Sequence, residues 1–300
     1  MKIPAKTGLT VLKNLPIDSV AEMIDWKMFL VSWDFRTAQA RESKEADELI
    51  ADSRELLDRI VRNNLLSIDG AVRIEKACTV DHDDIVLYTK SINEPLAVLP
   101  MLRRQIPRMG QCPSLADYIV PEGGESVEPG LDDHMGFFAV TSAKKLDDVL
   151  KLFPEDDLYS PLLAKSLADR LAEAGAEYIH SLTRREIWGY EQGEHFSTEE
   201  LLKVSYQGIR PAPGYPCCPD HTGKRDIFDL LEAEENLGIE LTGSYMMQPA
   251  ASVCGYIFSS KKAKYFPVGK IGEDQLESYS ARKKMNQSEI RQWLSVNLND

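Results

Sequence analysis

A proline-rich segment, residues 210–219, places the strongest constraint on how this chain can fold. It holds four prolines in ten residues, at positions 211, 213, 216 and 219. Each proline fixes its own φ at about −65°, lacks a backbone N–H donor and favours an extended preceding residue. The segment therefore excludes a helix or an interior strand, and Gly214 is the position where it can turn with a positive φ. We predict a stiff, extended segment, called the proline ribbon below.

Composition leaves two interpretations of the proline ribbon open. It is either a crossover between two helices or a rigid platform that presents Arg210, the Ala212 carbonyl and the Tyr215 ring to a ligand. A rigid platform needs little ordering on binding, which favours affinity. The adjacent cysteines at 217 and 218 point in different directions, so we predict no metal site here.

The overall composition is that of a soluble globular protein. The 300 residues are 43% hydrophobic and 28% charged, and no run approaches the roughly 18 apolar residues of a membrane span. The N-terminus lacks an apolar stretch of signal-peptide type, so we predict a cytoplasmic protein. A net charge of −13 argues against nucleic-acid binding. Five cysteines at irregular spacings predict free thiols rather than a disulfide framework.

Hydrophobic periodicity predicts an α+β fold, with one unit over residues 1–300 in which helices flank a twisted antiparallel sheet. The predicted helices span 17–24, 38–63, 160–182, 197–206, 225–237, 273–284 and the segment from 286. The predicted strands span 70–74, 84–88, 136–142, 253–258 and 264–270, the last two as an antiparallel pair. Basic residues within 99–108 predict either a solvated helix face or a contact to an acidic partner. Residues 121–129 predict a turn-rich loop.

Two sets of carboxylates are candidates for ligand binding. Asp25 stands at the head of the apolar segment 26–33, where it is either a helix cap or a ligand contact. Asp169, Glu173 and Glu177 lie at i, i+4 and i+8 and line one helix face, where like charges repel. Either solvent with Arg170 or Arg184 compensates this stripe, or Glu173 faces the cationic end of a ligand.

The pattern Arg-x-x-x-Gly-Tyr-Pro-x-Cys-Pro-Asp-His-Thr begins at Arg210. It resembles the S-adenosylmethionine-binding signature of the activation domain of cobalamin-dependent methionine synthase. The resemblance covers nearly the whole chain, is densest from about residue 161 and is weakest over 65–112. Its other matching segments are 24–26, 115–121, 136–141, 168–178, 188–190, 206–210, 249–253, 264–265, 274–275 and 293–298.

The resemblance implies an S-adenosylmethionine site and no catalytic residue. Arg210 would bind the ligand carboxylate through its planar fork, and Asp25 would bind the amino group. Backbone groups at Ala212 would contact the adenine, and the aromatic rings would contact the ribose and the methyl-sulfonium. Some relatives carry a second tyrosine where this chain has Phe266, so that hydroxyl contact is lost. The implied site comprises Asp25, Glu173, Arg210, Ala212, Gly214, Tyr215, Tyr265 and Phe266.

By the same resemblance, the chain would present a methyl group to the cobalamin of a partner, without being a complete enzyme alone. Residues 132–136 open like a cobalamin motif, but Phe137 stands where a glycine is needed, so we expect the partner to supply the cobalamin. The implied partners are a corrinoid-binding protein or shortened methionine synthase and a flavodoxin-like reductase. The alternatives are a diverged regulatory S-adenosylmethionine-binding protein, a reactivation factor for another corrinoid protein, or a structural protein without a nucleoside site.

Overall fold

An antiparallel sheet forms the centre of the computed structural model, which describes residues 2–81, 83–123 and 132–298. Its order is β4-β3-β2-β5-β8, and β1 also pairs with β2. A separate short hairpin joins β6 and β7. The strands are β1 (Gly8–Leu12), β2 (Ser67–Val80), β3 (Asp84–Tyr88), β4 (Pro95–Pro100), β5 (Asp133–Lys144), β6 (Glu240–Leu241), β7 (Met247–Gln248) and β8 (Ser252–Ile257).

Helices cover both faces of this sheet, which confirms the predicted α+β class. The helices are α1 (Ile17–Ala21), α2 (Trp26–Ser32), α3 (Ala38–Arg41), α4 (Lys44–Arg62), α5 (Leu146–Leu150), α6 (Tyr159–Leu182), α7 (Thr198–Leu202), α8 (Gly223–Leu231), α9 (Ala233–Leu237), α10 (Glu273–Lys283) and α11 (Gln287–Trp293). Helices α1, α4 and α6 pack on one face, and α8 and α9 on the other. Because successive strand residues point to opposite faces, Phe138 belongs to the first layer and Phe137 to the second.

The strands at the centre are longer than predicted. The segment 70–74 lies within β2, and the segment 136–142 lies within β5. Both strands are buried on both faces over most of their length. β5 accordingly carries a continuous apolar run, whereas β2 contains the ion-paired residues Asp69, Arg73 and Glu75 among its apolar ones. The antiparallel β2–β3 hairpin also agrees with the prediction.

Helix α6 carries side chains toward the functional site and packs closely on the sheet. An added Cβ at Gly175 would lie 3.0 Å from Val140 Cγ2, so glycine permits this approach. The helix begins at Tyr159, one residue before its predicted start, and Asp157 Oδ1 accepts the backbone N–H groups of Tyr159 and Ser160. After Leu182 the chain continues as one wide π-helical turn, Thr183–Ile187.

Several predicted helices break or end early. Ser43 caps a new helix, so the predicted helix 38–63 is divided into α3 and α4. Glu232 adopts a left-handed φ of 49° and separates α8 from α9. The capping box at Ser197 and Glu200 is present, but α7 ends at Leu202. No helix within the described ranges combines the length and apolar character that a bilayer crossing needs.

The segment 99–108 is extended, so the predicted helix face is wrong. Pro100 and Pro107 flank its centre and disfavour a helix. The Arg103 guanidinium is fixed within the fold, since it pairs with Asp83 at 2.8 Å and with Asp117 at 2.7 Å. Of the predicted loop 121–129, residues 124–129 lie outside the described part of the chain.

Candidate functional site

The proline ribbon begins as an extended segment along the outer edge of β8. Ile209 exchanges backbone hydrogen bonds with Phe258, at 3.0 and 2.9 Å, and the Pro211 carbonyl accepts from the Tyr256 N–H at 2.9 Å. This position was predicted for residues 264–270, so the predicted pairing of 264–270 with β8 is wrong. Pairing with β8 is possible here because Ile209, directly before the ribbon, supplies both a donor and an acceptor. Pro211 contributes only its carbonyl, so its missing N–H is not needed.

Beyond Ala212 the ribbon turns twice, whereas the sequence predicted one turn. At the first turn, which contains Gly214 with φ at +97°, the Tyr215 N–H donates to the Ala212 carbonyl at 3.1 Å. At the second turn the Cys218 N–H donates to the Tyr215 carbonyl at 2.9 Å. The predicted stiff ribbon is therefore an extended arm followed by a compact hook.

One cavity of about 460 Å³ lies between the proline ribbon, α6 and the sheet. Six of the eight predicted site residues line it, and Asp25 and Gly214 are not among the lining residues. The wall is mostly apolar and aromatic, and the Tyr215 and Tyr265 side chains remain 60% and 46% exposed at its mouth. The lining residues are Phe138, Glu173, Arg210, Pro211, Ala212, Tyr215, Pro216, Cys217, Val253, Tyr265, Phe266 and Pro267.

Arg210 has spare hydrogen-bonding capacity at this cavity. Its Nη2 donates to Glu177 Oε2 at 2.6 Å, and its backbone N–H donates to Tyr265 Oη at 3.0 Å. Burial works against the charge, but the Glu177 carboxylate, together with Tyr206 and Tyr265, holds the pKa of the Arg210 guanidinium above its usual range. Within the described residues, the guanidinium N–H groups on Nε and Nη1 have no acceptor. Arg210 can therefore bind a further anion.

Glu173 is the complementary group in the same cavity. It lies one helical turn before Glu177 on α6 and is half-buried. Among residues that the structure describes, it makes no ion pair or hydrogen bond. Its charge contributes, after burial, to the raised pKa of Tyr215. The cavity thus presents an arginine that can bind an anion and a carboxylate without an ion-pair partner. This combination suits a ligand that carries one negative and one positive group.

The backbone of Ala212 is arranged differently from the prediction. Its carbonyl is not unpaired within the segment, because it accepts from the Tyr215 N–H at 3.1 Å and from Cys218 Sγ at 3.0 Å. The hook of the ribbon folds back and supplies these donors. The Ala212 N–H, in contrast, makes no hydrogen bond to the described part of the chain. The backbone donor, not the acceptor, is therefore available to a ligand.

The 265–267 wall is held in place by contacts to its neighbours. The Phe266 N–H donates to Cys217 Sγ at 3.1 Å, and the Phe266 ring meets Tyr118 edge to face at 6.3 Å. Burial raises the pKa of the Tyr265 phenol, whose oxygen accepts from Arg210. Cys217 and Cys218 make separate contacts on opposite sides of the ribbon.

Asp25 and Gly214 have roles in the local backbone structure: the first caps a helix and the second permits a turn. Asp25 caps α2 by accepting the Met28 N–H at 3.0 Å, which corresponds to the helix-cap interpretation. An added Cβ at Gly214 would lie 2.4 Å from His221 Cε1, so glycine is required by the turn. Direct ligand contacts from these two residues stay predictions.

A buried ion-pair network behind Arg210 was missed from the sequence. Arg184 is fully buried and pairs with Glu194 at 2.6 Å, while its Cζ lies 3.9 Å from the Tyr206 ring centroid. Arg184 Nη1 also lies 3.7 Å from Glu177 Oε1. The acidic stripe on α6 indicated part of this network, because Arg184 was a candidate to compensate its charges. The stripe residue Glu177, however, pairs most closely with Arg210. Nothing in the sequence spacing indicated Glu194.

Comparison with known proteins identifies the family of this chain. The family described as vitamin B12 dependent methionine synthase, activation domain, matches residues 16–284. A similar solved structure is the crystal structure of the MetH reactivation domain bound to AdoHcy, at 37% sequence identity and a TM-score of 0.89. That match covers 100% of this chain and 93% of the other. The chain therefore belongs to the activation-domain family of vitamin B12-dependent methionine synthases.

Proposed function

We propose that this chain binds S-adenosylmethionine in the 460 Å³ cavity and presents its methyl group for reductive methylation of a partner's cobalamin. The observation that carries the proposal is the placement of two groups on one aromatic-lined wall: Arg210, which keeps N–H groups without an acceptor, and Glu173, which has no ion-pair partner among the described residues. The relative's AdoHcy is the demethylated form of this ligand, which supports the same ligand class. The cavity also has the volume usual for small-molecule sites, about 300–1,000 Å³.

Each part of the ligand has a matching group in the cavity. Arg210 would take the carboxylate through its unpaired N–H groups, in charge-assisted hydrogen bonds. Glu173 would face the cationic end, and the Tyr215 and Tyr265 rings would cover the sulfonium. The Ala212 N–H would donate to an acceptor nitrogen of the adenine. Asp25 stays a proposed contact to the ammonium, from the N-cap position of α2.

The chain's own contribution to methyl transfer is placement and exclusion of water. When bound, S-adenosylmethionine supplies an already activated methyl group, and the partner's reduced cobalamin accepts it. The chain therefore needs no nucleophile or general base of its own for this step. The proline ribbon and α6 hold the ligand between fixed elements, while the exposed tyrosines at the mouth leave one side open to a partner.

The partner in this proposal is a cobalamin-binding domain or protein, in the same polypeptide or in trans. A separate electron donor, such as a flavodoxin-like reductase, would return the cobalt to its reduced state. The family supports a cobalamin-carrying partner, because its members are activation domains of B12-dependent enzymes.

A calorimetric titration with S-adenosylmethionine tests the proposal. We expect saturable binding that weakens about fivefold in Tyr215→Ala, since removing a cation–π face costs about 1 kcal/mol. Arg210→Ala should abolish the contribution of the ligand carboxylate to the binding free energy. Tyr159→Ala, at an exposed tyrosine outside the cavity, is the matched control. A folded protein without saturable binding at millimolar ligand would refute the site. Binding without methyl transfer to a reduced corrinoid protein would refute the second half of the proposal.

A further inference from the structure

We propose that Glu177 is a positioning residue that orients Arg210 for the carboxylate of the ligand. This inference rests on the proposed function, because it concerns how the same cavity recognises its ligand. Glu177 does not line the cavity, and its side chain is only 5% exposed. It therefore acts on the ligand through Arg210 and not by direct contact.

Arg210 is held at both ends of its side chain. At the base, its N–H donates to Tyr265, and the residues on either side of it bond to β8. At the tip, Nη2 donates to Glu177 at 2.6 Å. These bonds fix the plane of the guanidinium while leaving Nε and Nη1 without an acceptor in the described part of the chain. A free arginine side chain would have to give up several rotamers on binding, and Glu177 removes that cost beforehand.

Glu177 is itself fixed between two positive charges. It projects from the C-terminal part of α6, where the helix packs on the sheet, so its backbone cannot move independently. Its second oxygen, Oε1, lies 3.7 Å from Arg184 Nη1. Arg184 is in turn held by Glu194 with bonds of 2.6 and 3.0 Å. The Glu177 carboxylate, buried between two guanidiniums, therefore provides a fixed, directional acceptor for Arg210.

The arrangement also explains why Glu177 and Glu173 have different roles. Both lie on α6 and one turn apart, but Glu177 is buried against Arg210 while Glu173 faces the cavity without an ion-pair partner among the described residues. One carboxylate neutralises part of the arginine charge and sets its direction. The other remains available for the cationic end of the ligand.

Two probes test this role, and they differ in the amino-acid moiety and in the sulfonium charge that its attachment creates. S-adenosylmethionine carries the carboxylate, and 5′-methylthioadenosine keeps the adenosine and sulfur but lacks it. We expect Glu177→Gln to weaken S-adenosylmethionine binding about tenfold, as for the loss of one charge-assisted hydrogen bond. Binding of 5′-methylthioadenosine should change less than about twofold, because nothing on it contacts Arg210.

Glu75→Gln is the matched control, since Glu75 is 6% exposed and pairs with an arginine, Arg73, at 2.7 Å, but belongs to neither the cavity wall nor the Arg210 network. It should leave the ratio of the two affinities at the wild-type value. Glu177→Asp gives a second variant in case Glu177→Gln does not fold, because it keeps the charge that Arg184 faces while withdrawing the carboxylate from Arg210. It should lower the same ratio.

Three results would overturn the inference. Equal weakening of both probes in the Glu177 variants would mean that Glu177 only maintains the fold. An unchanged affinity ratio in these variants would mean that Arg210 needs no positioning. If the wild-type protein binds neither probe, the proposed function itself fails, and this inference fails with it.

Discussion

The buried pair of Arg184 and Glu194 should behave as a strongly coupled unit in folding. Arg184 is 0% exposed, and it makes two hydrogen bonds to a carboxylate that is 3% exposed. Removing one partner of such a pair leaves a buried charge uncompensated, at a cost of about 3–5 kcal/mol. Arg184→Met also removes the cation over Tyr206, which places it toward the upper end of that range.

A double-mutant cycle measures this coupling. We expect Arg184→Met and Glu194→Met each to lower the free energy of unfolding by about 3–5 kcal/mol. The double variant should lose at least about 2 kcal/mol less than the sum, because neither charge is then left alone. Urea unfolding followed by tryptophan fluorescence and by circular dichroism gives the four free energies.

The exposed pair of Arg291 and Glu273 is the control cycle, since its side chains are 45% and 64% exposed. Surface pairs contribute at most about 1 kcal/mol. If the buried cycle shows no more coupling than this surface cycle, the account of the network is wrong.

Two further predictions concern the sheet. Gly255→Ala would place a Cβ 2.8 Å from the Pro211 carbonyl oxygen and 2.7 Å from Phe138 Cε1, so we expect a loss of about 1–3 kcal/mol and weaker S-adenosylmethionine binding. Gly243→Ala, with no atom within 4 Å, is its control in melting and titration; equal effects would contradict the packing argument. Burial of His134 lowers its pKa to about 4, below the usual 6.5, so the unfolded state binds its proton first as the pH falls. The free energy of unfolding should therefore decrease by about 3 kcal/mol between about pH 6.5 and 4, and His134→Gln should reduce this slope in urea titrations; an identical slope would refute the assignment.

Local chemistry made part of the structure predictable. The prolines at 211 and 213 gave the extended arm, and the continuous apolar run at 136–142 gave the central strand β5. The start of the predicted helix 197–206 was correct because the two hydrogen bonds of its capping box join residues only three positions apart. These features depend on near neighbours in the sequence, which is why pattern and composition were sufficient.

Long-range partners were not predictable in the same way. The choice of the proline ribbon over residues 264–270 as the neighbour of β8 depends on which segment the whole fold brings to that edge. The same holds for Arg210, whose partner Glu177 is 33 residues away in the sequence. The Ala212 carbonyl accepts hydrogen bonds from Tyr215 and Cys218 because the hook folds back toward it. Proline content alone does not specify this geometry.

The position of the proline ribbon along β8 also has a consequence for solubility. The Tyr256 and Phe258 N–H groups would otherwise form an open strand edge, and open edges pair with other chains and lead to aggregation. At the opposite side of the sheet, β4 begins and ends with proline, which limits pairing there. The segment that lines the cavity therefore also shields the sheet. A ligand that holds the ribbon in place should protect this protein from intermolecular strand pairing, and variants that loosen the ribbon should aggregate before they unfold.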